Sequence, residues 1–213
     1  MMDLISAHRR SLAAALSTLT AEQWQGASLC AGWTPAHVLA HLTMPFRISE
    51  SDFMAGLQRC GGDFTKFSDE IAARDSELPP ADLVGVLRDN ADAPWAPPGG
   101  GLTGALSHDV IHGLDITWPL SLAYEIPARA LTIVLDAIMS PQETGAEADR
   151  ATLFGFPLAG IRVRATDLDW SAGAGEELVG RSRDLLPLLA GRAVPIELFQ
   201  GPGVARAWSL ADR

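Results

Sequence analysis

Two apolar segments of this chain each carry a pair of histidines four residues apart, His37 with His41 and His108 with His112. Four residues is little more than one turn of α-helix, so the two rings of a pair sit on one face, one above the other. Helix in both segments constrains the fold more than any other feature of the chain. Imidazole is also the commonest neutral metal ligand, and three such rings with a vacant coordination position make a centre able to activate water or a thiol. A single helical histidine pair is more often a surface or interface feature. Two pairs in 213 residues shift the balance toward a metal.

The length suits one substantial domain, alone or with a small appendage. No apolar run approaches the roughly 18 residues that a membrane span needs, and the opening MMDLISAHRR has no signal-peptide core. A cytoplasmic location and no membrane partner are expected. A net charge of −10 gives the molecule a field that repels phosphate backbones, which argues against nucleic acid as a partner. Two cysteines, Cys30 and Cys60, cannot build a disulfide framework, and no CxxC is present. Burial as small apolar side chains is expected for both. Cys30 also precedes Gly32 and Trp33 at the mouth of a helix, where a thiolate is favoured.

Along the chain, Leu4, Ile5, Leu12 and Leu16 mark a helical stripe in residues 3–18, and Thr20 with Gln23 has the form of a capping box. Thr34 is placed to cap a helix that has Pro35 at its first position and runs to about residue 60, with a kink at Pro45. Residues 64–75 and 80–92 are further helices, and the Pro- and Gly-rich stretch 94–101 is a loop. Thr103 or Ser107 is expected to cap the helix carrying His108, Asp109, His112 and Asp115, which Trp118-Pro119 ends. Residues 128–140 supply a fourth long helix, and four long helices with short connections suggest a bundle whose inward side chains build the site. After the acidic stretch 141–150, residues 161–170 alternate as a strand does. Gly173 and Gly175 turn the chain, and 177–191 is expected to be a helix stopped by Gly191. The expected fold class is therefore mainly α: a four-helix bundle over 1–145, then a small α/β domain over 146–213.

With the helices placed, CAGWTPAHVLAHL at 30–42 and HDVIHGLDITWPL at 108–120 resemble the mycothiol-dependent maleylpyruvate isomerase family, within the DinB-like metal-binding four-helix bundles. ATDLDW at 165–170 and LLPLLAGR at 185–192 resemble that family's C-terminal domain, so the likeness spans nearly the whole chain. It implies a divalent metal, zinc first and nickel next, bound by His41, His108 and His112. At position 108 relatives carry glutamate or histidine, and the all-histidine set departs from the glutamate-containing isomerase type. The resemblance also implies a mycothiol-like low-molecular-weight thiol as cofactor or co-substrate and a small electrophilic substrate, in an S-transferase or isomerase reaction activated at that metal. The alternatives are metal-assisted hydrolysis and a non-catalytic bundle that binds metal or another ligand. A homodimer formed through an exposed helix face is compatible with a bundle of this size.

His37 has ligand spacing too, but a fourth protein ligand would close the tetrahedron and favour a structural site. Asp109 points about 100° from His108 around the helix, which suits facing water or orienting another ligand better than binding metal. Asp115, three residues beyond His112, lies on its side of the helix, either as an outer contact to the site or as a surface acid. Trp33 and Trp118 flank the site in sequence as candidate walls. His8 reads as a solvated or half-buried side chain.

Overall fold

The structure, a computed structural model, describes residues 1–139 and 151–211 and divides into two compact units, Met1–Ile126 and Pro127–Arg213. The expected boundary at 145/146 falls outside the described residues, and the division observed lies earlier, before the helix at 128–139.

The first unit contains α1 (Met2–Leu16), α2 (Ala21–Trp24), α3 (Pro35–Arg47), α4 (Glu50–Arg59), α5 (Phe64–Asp75), α6 (Pro80–Asp89) and α7 (Gly101–Thr117). α1 and α3 each pack on both α6 and α7, so these four helices close a ring, with α5 laid against α3 and α4 against α5. Each helix of the ring contributes to one core: Leu12 and Leu16 from α1, Leu39 and Leu42 from α3, Leu83 and Leu87 from α6, and Ile116 from α7. The expected four-helix bundle is present, but its fourth member is α6 and not the helix at 128–140. α6 is short, yet Leu83, Val84 and Leu87 form one buried face that the ring can use.

The long helix expected from Thr34 to residue 60 is two helices. Pro45 withholds a backbone donor inside α3. Ile48 then becomes extended (φ −110°, ψ 131°), and Ser49 caps α4 by accepting from Asp52 N at 3.1 Å. At Thr20 the capping box forms as read, with Thr20 Oγ1 accepting from Gln23 N and Gln23 Oε1 accepting from Thr20 N. Neither Thr103 nor Ser107 caps α7. It begins earlier, at Gly101, where Gly100 N donates to Pro97 O at 2.9 Å and Gly104 N to Gly100 O at 2.8 Å. A side chain on Gly100 would press on the Pro97 ring, so this tight entry needs glycine.

The second unit contains α8 (Ala128–Met139), β1 (Ile161–Ala165), β2 (Ser171–Gly173), β3 (Glu176–Gly180), α9 (Ser182–Leu189), a 3-10 turn at Ile196–Leu198 and α10 (Gly203–Ala211). The sheet order is β2-β1-β3, with β1 antiparallel to β2 and parallel to β3. Along β1, Ile161, Val163 and Ala165 are buried while Arg162 is exposed, as the alternation predicts. The expected helix from 177 instead starts at Ser182, because Glu176–Gly180 pairs with β1 in the register Val163↔Leu178. The helix start is fixed from a distance: Asp167 accepts from Ser182 N at 2.7 Å and from Ser182 Oγ at 3.0 Å. Gly191, at φ 77°, follows the helix as its left-handed stop. α8 packs on α9 and β2, burying Leu131, Val134, Leu135 and Ile138. Among the described residues no helix is long and apolar enough to cross a membrane.

Candidate metal centre

α3 and α7 are neighbours in the ring, and their facing sides bring His41, His108 and His112 together. Ring centroids lie 5.1 Å apart for His41 and His108, 4.8 Å for His41 and His112, and 5.0 Å for His108 and His112. One nitrogen from each ring lies within 4.8 Å of the other two, and Nε2 of His41 is 3.2 Å from Nε2 of His108. Around a tetrahedral zinc with N ligands at about 2.0–2.1 Å, neighbouring nitrogens are about 3.4 Å apart. The donor set therefore has the spacing as well as the chemistry of a metal centre.

Each ring is held through its other nitrogen. His108 Nδ1 is 3.2 Å from Asp109 Oδ1, His112 Nδ1 is 2.9 Å from Asp115 Oδ2, and His41 Nδ1 is 2.8 Å from Ser68 Oγ on α5. A carboxylate only accepts, so Nδ1 of His108 and His112 carries the hydrogen and Nε2 keeps its lone pair. Ser68 holds His41 the same way when it accepts from Nδ1. Imidazoles oriented by oxygen partners in this manner are the usual outer structure of a histidine metal site. Burial, reinforced by the two neighbouring imidazoles, pushes the pKa of His41 down to about 2. It stays neutral, which is its ligand form, throughout the physiological range.

Asp109 is the hub of a second layer. Its Oδ2 accepts from Arg9 Nε at 2.6 Å, with both side chains almost wholly buried. The guanidinium also donates to Ala93 O at 2.9 Å and Asn90 O at 3.3 Å, and lies over the Phe46 ring at 5.0 Å. Burial alone would raise the carboxyl pKa of Asp109, but the hydrogen bond from His108 and the charge and hydrogen bond of Arg9 outweigh it and hold it below the usual range. Asp109 thus faces α1 and orients its own neighbour, not water. Asp115 is buried, contacts His112 and accepts from Cys30 Sγ at 3.0 Å, so the outer-contact reading is the one its position matches. Cys30, His112 and Asp115 form a second group with ligand spacing. Its members are already hydrogen-bonded to one another, whereas the three imidazoles direct nitrogens at a common point.

His37 stands apart. Its Nδ1 accepts from Thr34 N at 3.4 Å and lies 2.8 Å from Thr34 Oγ1, while Nε2 is 3.4 Å from Ser76 Oγ. It completes the start of α3. His8, read as solvated or half-buried, is fully buried on the inner face of α1, its ring 5.7 Å from Tyr124. Trp33 stands 5.4 Å from the His41 ring, ring to ring. Neither Trp33 nor Trp118 is among the lining residues of the cavity beside the centre, and Trp95, in the 94–101 loop and 5.1 Å from His108, takes the wall position instead. That cavity has a volume of about 590 Å³, and all three imidazoles reach it.

Sequence reasoning passed over Arg9, Ser68, Cys30 as a partner of Asp115, and Trp95. Arg9 left a signal, since position 9 falls on the Ile5–Leu12–Leu16 stripe where a cation needs a buried partner. Ser68 left none.

A ring of four helices that turns three oriented imidazoles toward a cavity defines a class, the helical bundles with a histidine-built candidate metal centre. Residues 5–96 match the family model described as the mycothiol maleylpyruvate isomerase N-terminal domain. No curated protein sequence matches the chain. Among solved structures, the crystal structures of the mycothiol-dependent maleylpyruvate isomerase and of a histidine-to-alanine mutant of it are similar. Each has a TM-score of 0.59 and 17% sequence identity over 95% of this chain and 91% of the other. At that identity the likeness is one of fold. The family match includes His41, and His108 and His112 lie beyond it.

Proposed function

We propose that this protein is a metal-dependent enzyme that uses a low-molecular-weight thiol, mycothiol or one like it, in S-transfer or in an isomerisation through a thiol adduct. The observation that supports the reading is the convergence of His41, His108 and His112 beside a cavity, in a chain whose N-terminal part matches the mycothiol maleylpyruvate isomerase N-terminal domain model. A divalent cation there, zinc first and nickel next, supplies the Lewis acidity that lets a thiol lose its proton at neutral pH.

The chain's own residues do the rest. Three neutral ligands leave the cation its full charge, which favours binding an anionic sulfur. Asp109 and Asp115 hold His108 and His112 with Nε2 toward the centre, and Ser68 does so for His41. The apolar wall excludes water that would otherwise compete with the thiol. In the S-transfer form the thiol proton leaves to solvent, sulfur forms a bond to an electrophilic carbon, and either a leaving group departs with its bonding pair or the π pair shifts to the neighbouring atom, which takes a proton back from solvent. In the isomerisation form sulfur adds to a conjugated carbon, the former double bond rotates, and the same C–S bond breaks to release the thiol.

The test is metal analysis of the purified protein, then titration of the cobalt-substituted form with mycothiol. The expected result is about one metal per chain and new sulfur-to-cobalt charge-transfer bands as the thiol binds. Metal with no spectral response to thiol points to a non-catalytic or hydrolytic centre and overturns the thiol reading.

A further inference from the structure

The cavity beside the three imidazoles carries information about the second reactant. Away from the histidines it is lined by Met44 and Ile48 from the α3 end, Phe53 from α4, Phe64 from α5, and Trp95 and Pro97 from the loop before α7. Met44, Ile48 and Phe53 belong to a packed cluster with Phe67 and Ile71, so the wall is the surface of a small core and is formed before anything binds. Phe64 and Met54 are largely exposed, which continues the apolar surface outward from the wall. Glu50 is the one charged residue among the lining residues described, and no lysine or arginine is among them. Arg9 and Arg47, on α1 and α3 of the ring, are committed elsewhere. Arg9 is tied to Asp109, and Arg47 to Asp75 and to Ala40 O.

We infer that the electrophile handled here is a neutral, apolar molecule, aromatic or branched aliphatic around its reacting carbon and without a carboxylate. With the thiolate on the metal's open side, a carboxylate entering this space would lose water, find no cationic side chain among the described lining residues and meet the like charge of the sulfur and of Glu50. Desolvation without a partner is costly for any anion. A ring or branched chain would instead gain contact with Phe53, Phe64 and Trp95, as apolar ligands do in preformed pockets. The inference rests on the proposed thiol chemistry for the reaction, but the preference is a property of the wall alone.

The test is calorimetric titration of the full chain with methyl cinnamate and with cinnamate, which share a skeleton and differ by one charge. It is run on the chelated protein, so that cinnamate has no metal to ligate and the wall alone is read. The ester should bind at least about tenfold more tightly than the acid, the scale set by an unpaired buried charge. Glu50 is exposed in the first turn of α4, so replacing it leaves the core intact. Glu50→Gln should narrow the gap by strengthening cinnamate binding, and Glu50→Arg should close or reverse it. Phe64→Ala should weaken the ester. Equal or tighter binding of cinnamate to the chelated protein, or no measurable binding of the ester at millimolar concentration, overturns the inference. Ester preference in a protein that takes up no metal sinks the proposed function and leaves the inference standing. Metal uptake and a thiol response with a preference for the acid does the reverse.

Discussion

Replacing Asp109 by asparagine tests whether the buried layer behind the imidazoles does what its geometry indicates. The substitution keeps an oxygen within reach of His108 Nδ1 but removes the charge that Arg9 faces at 2.6 Å. Arg9 is 0% exposed and would retain only neutral partners, among them Ala93 O at 2.9 Å, Asn90 O at 3.3 Å and Ala91 O at 3.5 Å. Removing one member of a buried pair costs about 3–5 kcal/mol, because the other charge stays buried without compensation. That is a large part of a domain's usual stability of about 5–15 kcal/mol, so the variant should fold but unfold at much lower urea concentration. Loss of an outer partner of a metal-binding histidine costs about 10–100-fold in metal affinity. Urea unfolding of the metal-stripped protein and zinc competition against a chromophoric chelator read the two effects separately. The double variant Arg9→Met, Asp109→Leu separates them further. It fills the space with apolar groups and should recover most of the stability, while zinc affinity stays weak because nothing orients His108. Wild-type zinc affinity in the double variant would refute the claim that Asp109 acts on the centre through His108.

Three further expectations follow from particular contacts. His41→Ala and His112→Ala should each abolish tight zinc binding, whereas His37→Ala should keep it and only loosen the start of α3; metal content by mass spectrometry checks this, and full occupancy in either of the first two would count against the triad. Gly113 sits where α7 approaches α1, and a methyl group there would lie 2.8 Å from Tyr124 Oη and 3.1 Å from Leu12 Cδ2. Gly113→Ala should therefore cost about 1–3 kcal/mol by overpacking, seen as a lower melting temperature. His8 is held below its ordinary pKa of 6.5 by burial, with the charge of Asp109 opposing and only partly offsetting it. The unfolded chain thus takes up the proton first, so the contribution of His8 is complete above pH 6.5 and is lost as pH falls below it. The slope from one such group is at most about 1.4 kcal/mol per pH unit. His41 adds a slope of the same sign. His8→Leu should make urea midpoints measured between about pH 7 and 5 less pH-dependent, and an unchanged slope would contradict the assignment.

The periodic features of the sequence carried over into the structure, and the features set by distant partners did not. The stripe of α1, the Thr20 capping box, the Pro-rich loop and the His108–His112 pair are local, so spacing alone placed them. The Ser49 and Asp52 pair that starts α4 was also local, but Pro45 drew the eye to a kink instead of a break. By contrast, β3 exists because β1 pairs with it, and α9 begins at Ser182 because Asp167 reaches across to cap it. Nothing within 177–191 announces either fact. The identity of the fourth bundle helix had the same cause: apolar faces on α6 and on 128–139 look alike until their partners are known. For Asp109 the angle left facing water and orienting a ligand both open, and its contact with His108 is the second. A residue next to a ligand on a helix can still touch it when a buried cation, here Arg9, turns its carboxylate inward.

The fate of His37 bears on the choice between a catalytic and a structural centre. The chain has a fourth imidazole of suitable spacing one turn before His41, and a structural zinc would gain from it, since closed four-ligand sets are what such sites use. Instead Thr34 and Ser76 engage both ring nitrogens of His37. The three rings that converge also line the cavity, with His108 and His112 16% and 17% exposed. The position a fourth ligand would take is thus left to whatever the cavity admits, and an apolar wall admits a reactant more readily than a permanent protein ligand. A centre left open in this way forgoes the stability of a fourth ligand, and a bundle whose core is already continuous through Leu12, Leu39, Leu83 and Ile116 does not depend on a metal to fold. The chelated protein should therefore keep its helical circular dichroism and its cooperative unfolding. Collapse on chelation would mean that the metal is structural and that the open side has another use.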